Sequence, residues 1–174
     1  MEIKDIVRVM TIKGYAVFEN DSKPLNINYI GIRDEANVNK FNDLFIMFWK
    51  YAGQWSSFWR PGTSDPGTYW LESPMNPHGT AILKEGQYRG AWKLGKHQGK
   101  YEALVQRRPV KVWRDNNKDS VIDYLYAHQH VSEGYFGINI HRSNPYSKSY
   151  VVDKWSAGCQ VFQAVDEYLG FIDL

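Results

Sequence analysis

Two residues capable of nucleophilic catalysis lie close together in this sequence: Cys159, the single cysteine, and His141, eighteen residues before it. A thiol with its ordinary pKa of about 8.5 is mostly protonated at neutral pH, and a nearby imidazole increases its reactivity. The small neighbours Ala157 and Gly158 leave room for a substrate carbonyl at the sulfur. Backbone N–H groups at Gly158–Cys159 are placed to stabilise an oxyanion. The pair predicts a cysteine nucleophile with His141 as its base. The alternative is a buried, inert cysteine, the common fate of free thiols.

The elements around this pair favour a short distance between them. In the stretch FGINIHR, strand alternation places Asn139 and His141 on one face and Ile138 and Ile140 on the other. With the isoleucines turned inward, His141 faces a groove. The polar segment 143–155 is long enough to loop back and bring the next strand, with Cys159, alongside.

The order of these residues resembles the signature of the L,D-transpeptidase catalytic-domain family, a histidine after a strand, a polar loop and Ser/Thr-His-Gly-Cys. His141 matches the first histidine, and Ser156, Gly158 and Cys159 match the second part. TSDPGTYWL at 63–71 is similar to the family's Thr-Pro-x-Gly-x-Phe/Tyr segment. The resemblance covers residues 55–172 of a single domain spanning 1–174. The helix and strands expected in 1–54 have no clear family counterpart.

The resemblance implies cysteine-dependent acyl transfer on peptidoglycan stem peptides. His141 would take the Cys159 proton, the thiolate would attack the carbonyl between an L-centre and a D-amino acid, and a thioester would follow. Gly158 and Cys159 would form the oxyanion hole, Ser156 would shape the nucleophile turn, and Asn139 or a backbone carbonyl would orient His141. The sequence is similar to a divergent, phage-associated branch. Transpeptidases normally carry export signals, whereas a phage lysin needs none, so we expect hydrolysis in the manner of an endolysin over cross-linking by a transpeptidase.

Three positions depart from the family pattern. Ala157 stands in place of the second histidine, Arg142 in place of a small residue, and Val161 where the family has Arg or Asn. We expect Arg142 to bind substrate instead, with Tyr69 and Trp92 lining the cleft, although aromatic residues in β proteins are more often core residues. The same departures leave open a catalytically inactive virion or cell-wall binding protein with this fold.

Composition limits the alternatives. The chain has 174 residues with 16% aromatic and 23% charged residues, and its net charge is +2. This small charge, with no cluster of Lys or Arg, argues against a nucleic-acid partner. No apolar run reaches the length of a signal peptide or a membrane span. We expect a monomer made in the cytoplasm without a signal peptide, needing no cofactor, and acting at the bacterial cell wall after lysis or from a virion.

The fold class expected is mainly β, a β-sandwich or barrel with a short helix at each end, at 2–13 and near 164–171. Short runs of β-branched and aromatic residues separated by Gly, Pro and Asn are typical of strands. Such runs include 15–19 and 67–72, and 51–54 and 115–119 have the composition of hairpin turns.

Two patterns keep metal-binding alternatives open, although we expect no metal. His128 and His130 have the spacing of zinc ligands, but a zinc peptidase would need a third ligand. A calcium loop is the other pattern; its positions 1, 3, 5 and 9 would be Asp115, Asn117, Asp119 and Asp123, but Ser120 and Tyr126 replace the usual Gly and Glu. A hairpin turn explains this second pattern as well.

Overall fold

The protein is mainly β, and the expected fold class is confirmed. A computed structural model describes residues 2–21, 26–124 and 131–174. Within these ranges, ten strands form two sheets, with short helices near both ends of the chain. The helices are α1 (Ile3–Ile12), α2 (Thr68–Glu72) and α3 (Val165–Ile172), with one 3₁₀ turn at Asp153–Trp155. The strands are β1 (Asn28–Ile32), β2 (Asp43–Tyr51), β3 (Gln54–Thr63), β4 (Thr80–Leu83), β5 (Trp92–His97), β6 (Tyr101–Gln106), β7 (Val110–Asp115), β8 (Val131–Gly134), β9 (Ile140–Arg142) and β10 (Gln160–Phe162).

The large sheet has the strand order β1-β2-β3-β10-β9-β6-β5, and the small sheet has the order β4-β7-β8. Strands β9 and β10 pair in parallel, whereas the other pairs are antiparallel. Parallel pairing places the N-terminal ends of β9 and β10 at the same edge. The residues that precede the two strands, Asn139 and Cys159, therefore become neighbours.

The apolar run in β2 is explained by burial on both of its faces. Phe45 and Met47 pack towards α3, in a cluster that includes Phe162, while Ile46 and Phe48 pack against α1. The strands of residues 1–54 thus continue the sheet that contains the predicted catalytic segment. Burial of Ile138 and Ile140, 2% and 1% exposed, agrees with the alternation expected around His141.

Two local expectations were wrong. Residues 67–72 were expected to form a strand, but 68–72 form α2. A strand would place Tyr69 and Leu71 on one face, whereas the helical turn leaves Tyr69 40% exposed and buries Leu71 to 1%. The segment 15–19 contains no strand.

The expected hairpin turn at 115–119 was also wrong. β7 ends at Asp115 and does pair with β8, but β8 begins only at Val131, so the connection is much longer than a tight turn. None of the helices in the described ranges has the length and apolar character needed to cross a membrane.

Candidate functional site

The pairing of β9 with β10 places the two halves of the predicted dyad on adjacent strands. His141 pairs in register with Val161, and the Gln160 N–H donates to the Asn139 carbonyl at 2.9 Å. Since side chains alternate along a strand, Cys159, two residues before Val161, lies on the same face as His141. The two side chains are diagonal neighbours at one edge of the large sheet.

The Cys159 thiol is half-buried and contacts backbone groups. Its Sγ accepts from the Asn139 N–H at 3.4 Å and donates to the Gly137 carbonyl at 3.5 Å. Burial raises the pKa of the Cys159 thiol to about 11, although the Asn139 N–H acts in the opposite direction. No hydrogen bond joins Sγ to the His141 ring among the described residues. The thiol of the free protein is therefore protonated at neutral pH.

Ser156 and Gly158 shape the turn that presents Cys159. The buried Ser156 Oγ donates to the Cys159 carbonyl at 2.9 Å and accepts from the Gly158 N–H at 3.1 Å. Gly158 has φ +115°, and a Cβ there would lie 2.2 Å from the Ala81 carbonyl oxygen, so the position requires glycine. Because the Gly158 N–H is already bonded, the Cys159 N–H, which has no acceptor within the described ranges, is the amide available to an oxyanion.

His141 is held by a backbone carbonyl. Its Nδ1 lies 2.8 Å from the Arg142 carbonyl oxygen, which can only accept a hydrogen bond. Nδ1 therefore carries the proton, and Nε2 remains the proton acceptor of the neutral ring. His141 is only 3% exposed, and burial, followed by the effect of neighbouring His97, lowers its pKa to about 3. The imidazole is neutral at physiological pH, the form required of a base.

Two further residues, which the sequence analysis did not identify, surround the His141 ring. The His97 ring stacks on His141, with ring centroids 3.9 Å apart, and its Nδ1 lies 3.1 Å from the Asn139 Nδ2. The Tyr101 hydroxyl donates to the Arg142 carbonyl at 3.3 Å and lies 3.2 Å from His141 Nδ1. Both belong to the β5–β6 hairpin, which joins β9 through β6. Asn139 thus orients His97, whereas a backbone carbonyl orients His141.

A cavity of about 440 Å³ opens beside His141 and carries positive charge. Its basic side chains are Lys100, Arg142 and Lys154, and no carboxylate is among the described residues that line it. The Arg142 guanidinium lies 4.0 Å from the centre of the Tyr101 ring and donates to the Ser143 carbonyl at 3.1 Å. This arrangement suits a substrate with an anionic group.

The two aromatic residues expected to line the cleft have different surroundings. Trp92 donates its indole N–H to the Ile138 carbonyl at 2.7 Å and packs against two core clusters. Exposed Tyr69 lies under the Lys154 ammonium, 4.4 Å from its ring centre. Neither residue lines the cationic cavity, but Tyr69 contacts Lys154, which does.

The described residues form no ligand cluster for either of the two metal-binding alternatives. His128 and His130 lie outside those residues. In the acidic loop, the Asn117 amide donates to Asp119 at 3.1 Å and to Asp123 at 2.6 Å, while Asp115 accepts from the Asp123 N–H. Within the described ranges, no three His, Cys, Asp or Glu side chains are placed to share a metal ion.

Comparisons of the chain with models of protein families, with curated proteins and with solved structures find no match. The grounds for a functional proposal are therefore the chemistry of the site and the motif resemblance of His141 and Cys159.

Proposed function

We propose that this protein is a cysteine peptidase of the L,D-transpeptidase type that hydrolyses stem peptides of bacterial peptidoglycan. The observation that carries the proposal is the parallel β9–β10 pair, in which Cys159 and His141 lie on one face of adjacent strands, with His141 lining a cationic cavity. The resemblance of Ser156, Gly158, Cys159 and His141 to the signature of that family is what suggests the substrate class.

The first half of the reaction forms a thioester. Cys159 Sγ attacks the carbonyl carbon of the L-residue while its proton passes to His141 Nε2. The Cys159 N–H faces the oxyanion of the tetrahedral intermediate. When the intermediate collapses, the C–N bond breaks and His141 returns the proton to the leaving amine of the D-residue.

In the second half, His141 removes a proton from water, which attacks the thioester carbon. The C–S bond then breaks, the shortened peptide leaves as a carboxylic acid, and His141 returns the proton to the Cys159 thiolate. An amine in place of water would give a cross-linked product by the same route. Loss of the D-residue and replacement of the D-residue are thus the products that separate a peptidase from a transpeptidase.

One observation favours a second candidate, a cell-wall binding protein without turnover. The free Cys159 thiol has a pKa raised to about 11 and makes no hydrogen bond with His141 in the described structure. A binding protein would retain the cavity with Lys100, Arg142 and Lys154 and need no thiolate.

The test is mass spectrometry of the soluble and insoluble muropeptides after purified peptidoglycan is incubated with the protein. We expect stems shortened at the bond after the L-centre, with Cys159→Ala inactive and EDTA without effect. Exchange of added D-amino acids into the stems would instead identify a transpeptidase.

Two results would contradict the proposed cysteine peptidase. Muropeptide profiles that stay unchanged with wild-type protein, while the protein still sediments with peptidoglycan, would contradict the peptidase and support the binding protein. Activity that survives Cys159→Ala and is lost in EDTA would identify a metal-dependent peptidase.

A further inference from the structure

A second cavity, of about 280 Å³, lies next to the nucleophile turn. It shares no lining residue with the first cavity, but both adjoin the segment that leads to Cys159, because Lys154 and Trp155 line the first and Ala157 lines the second. Its other walls come from α2, the loop before β4, strands β4 and β7, and the residues after β8, and include Trp70, Asn76, Thr80, Arg114 and Phe136.

Arg114 brings a positive charge without a counter-ion into this cavity. Its Nη1 donates to the Gly79 carbonyl at 3.0 Å, and its guanidinium carbon lies 4.9 Å from the centre of the Phe136 ring. Among the described residues, no carboxylate forms an ion pair with it, and its buried Nε has no hydrogen-bond partner. The residues outside the described ranges, 1, 22–25 and 125–130, include no Asp or Glu.

Arg114 lies on a strand pair that contacts the nucleophile turn. In the β4–β7 pair, Arg114 is the register partner of Ala81, and the Ala81 carbonyl is the group against which Gly158 packs. The neighbouring carboxylate, Asp115, alternates to the other face of β7 and accepts from the Asp123 N–H. Burial also lowers the pKa of Arg114, as expected for a guanidinium that lacks an acidic neighbour.

The unpaired guanidinium predicts an anionic ligand. The Nε of Arg114 is buried without a hydrogen-bond partner, and a guanidinium matches a carboxylate through two parallel hydrogen bonds. The apolar walls formed by Trp70, Met75 and Phe136 favour a carboxylate attached to a small apolar group over a hydrated inorganic anion.

We infer that this second cavity is a carboxylate-binding subsite in which Arg114 holds the C-terminal carboxylate of a short peptide whose backbone continues towards Cys159. The inference rests on the proposed function only for the identity of the substrate. It assigns a terminal carboxylate to the cavity lined by Ala157 and not to the cavity of His141 and Arg142.

Binding to the full-length Cys159→Ala protein tests this subsite without turnover. The probes are N-acetyl-L-lysyl-D-alanine and its C-terminal amide, and titration calorimetry gives the affinity. We expect the acid to bind at least about tenfold more tightly than the amide, the size of effect expected for a hydrogen-bonded charge. Arg114→Gln should abolish this preference, whereas Arg108→Gln, a change at an exposed arginine outside the cavity, should keep it.

Several outcomes would overturn the inference. These are equal binding of acid and amide to the parent protein, an unchanged preference in Arg114→Gln, loss of the preference only in Arg142→Gln, and displacement of the peptide by an equal concentration of inorganic phosphate. If Arg114→Gln does not fold, the ¹⁵N–¹H signal of Arg114 Nε in the parent protein replaces it. That signal should shift with the acid and not with the amide, and an unmoved signal overturns the inference.

The two proposals fail separately. Carboxylate binding that depends on Arg114, in a protein that leaves peptidoglycan unchanged, would remove the peptidase and retain the subsite. Cleavage of peptidoglycan without any binding that depends on Arg114 would remove the subsite and retain the peptidase.

Discussion

At the scale of single residues, Cys159 and His141 are both uncharged in the free protein at neutral pH. The pKa of the thiol is raised to about 11 and that of the imidazole is lowered to about 3, in each case mainly by burial. The dyad therefore does not exist as a thiolate and imidazolium before substrate binds. Proton transfer to His141 must accompany the attack of Sγ on the substrate, as in general-base catalysis.

The neutral thiol predicts slow alkylation. Cys159 is the only cysteine of the chain, so incorporation of iodoacetamide reports on it alone. At pH 7 we expect labelling slower than that of a free thiol, with a rate that rises up to a pH of about 11. Mass spectrometry of the intact protein gives the rate, and Cys159→Ala is the blank. A rate that reaches its plateau below pH 8 would instead show a preformed thiolate.

At the scale of elements, the site depends on one parallel strand pair and one hairpin. The strands β9 and β10 align His141 and Cys159, which the sequence analysis had already identified. They do so because the loop between the two strands returns the chain to the same sheet. His97 and Tyr101 could not be predicted in this way. They reach His141 through the β5–β6 hairpin, forty or more residues earlier, and no local pattern indicates which strand pairs with β9.

We expect the nucleophile turn to lose stability when a methyl group is added at Gly158. Gly158→Ala should lower the free energy of unfolding by about 3 kcal/mol, because the positive φ is unfavourable and the new Cβ meets the Ala81 carbonyl. Gly99→Ala is the matched control: Gly99 also has a positive φ, +74°, but open space around its Cβ position, and about 1 kcal/mol is expected. Urea unfolding measures both. Equal losses would show that the turn can move away from β4.

At the scale of the whole molecule, the mainly β fold and the helices near both ends could be predicted from composition and periodicity. The β2–β3 hairpin was also predictable, because a short turn at Ala52–Gly53 separates two apolar and aromatic runs. The helix α2 was not, since TYWLE has strand-like composition and only the burial of Leu71 against Ile82 and Trp113 favours a helical turn. The division of the strands into two sheets likewise depends on long-range pairing.

Burial of His141 makes the whole fold sensitive to acid. Its pKa is lowered from 6.5 to about 3, so the unfolded chain binds this proton first as the pH falls, and the stability present above pH 6.5 is lost progressively down to pH 3. Between pH 7 and pH 4 this amounts to about 3 kcal/mol of unfolding free energy. The depressed pKa of His97 acts in the same direction.

The measurement is urea unfolding at several pH values for three proteins. In His141→Gln, the free energy of unfolding should fall less as the pH is lowered from 7 to 4. In His78→Gln, a change at an exposed histidine, it should fall as much as in the wild-type protein. If His141→Gln loses as much stability at acid pH as the wild-type protein, groups other than His141 cause the loss.

The most direct test of the whole account is the mass of the protein after brief mixing with a soluble stem tetrapeptide. Because a thioester is the central intermediate, we predict an adduct equal to the acyl part of the peptide, located on Cys159 by peptide mapping, removed by hydroxylamine and absent in Cys159→Ala. In His141→Gln the adduct should form at least about a hundredfold more slowly, the range expected for loss of a general base. Peptide that is cleaved with no adduct in rapid-quench samples, or cleaved equally by Cys159→Ala, would contradict the account.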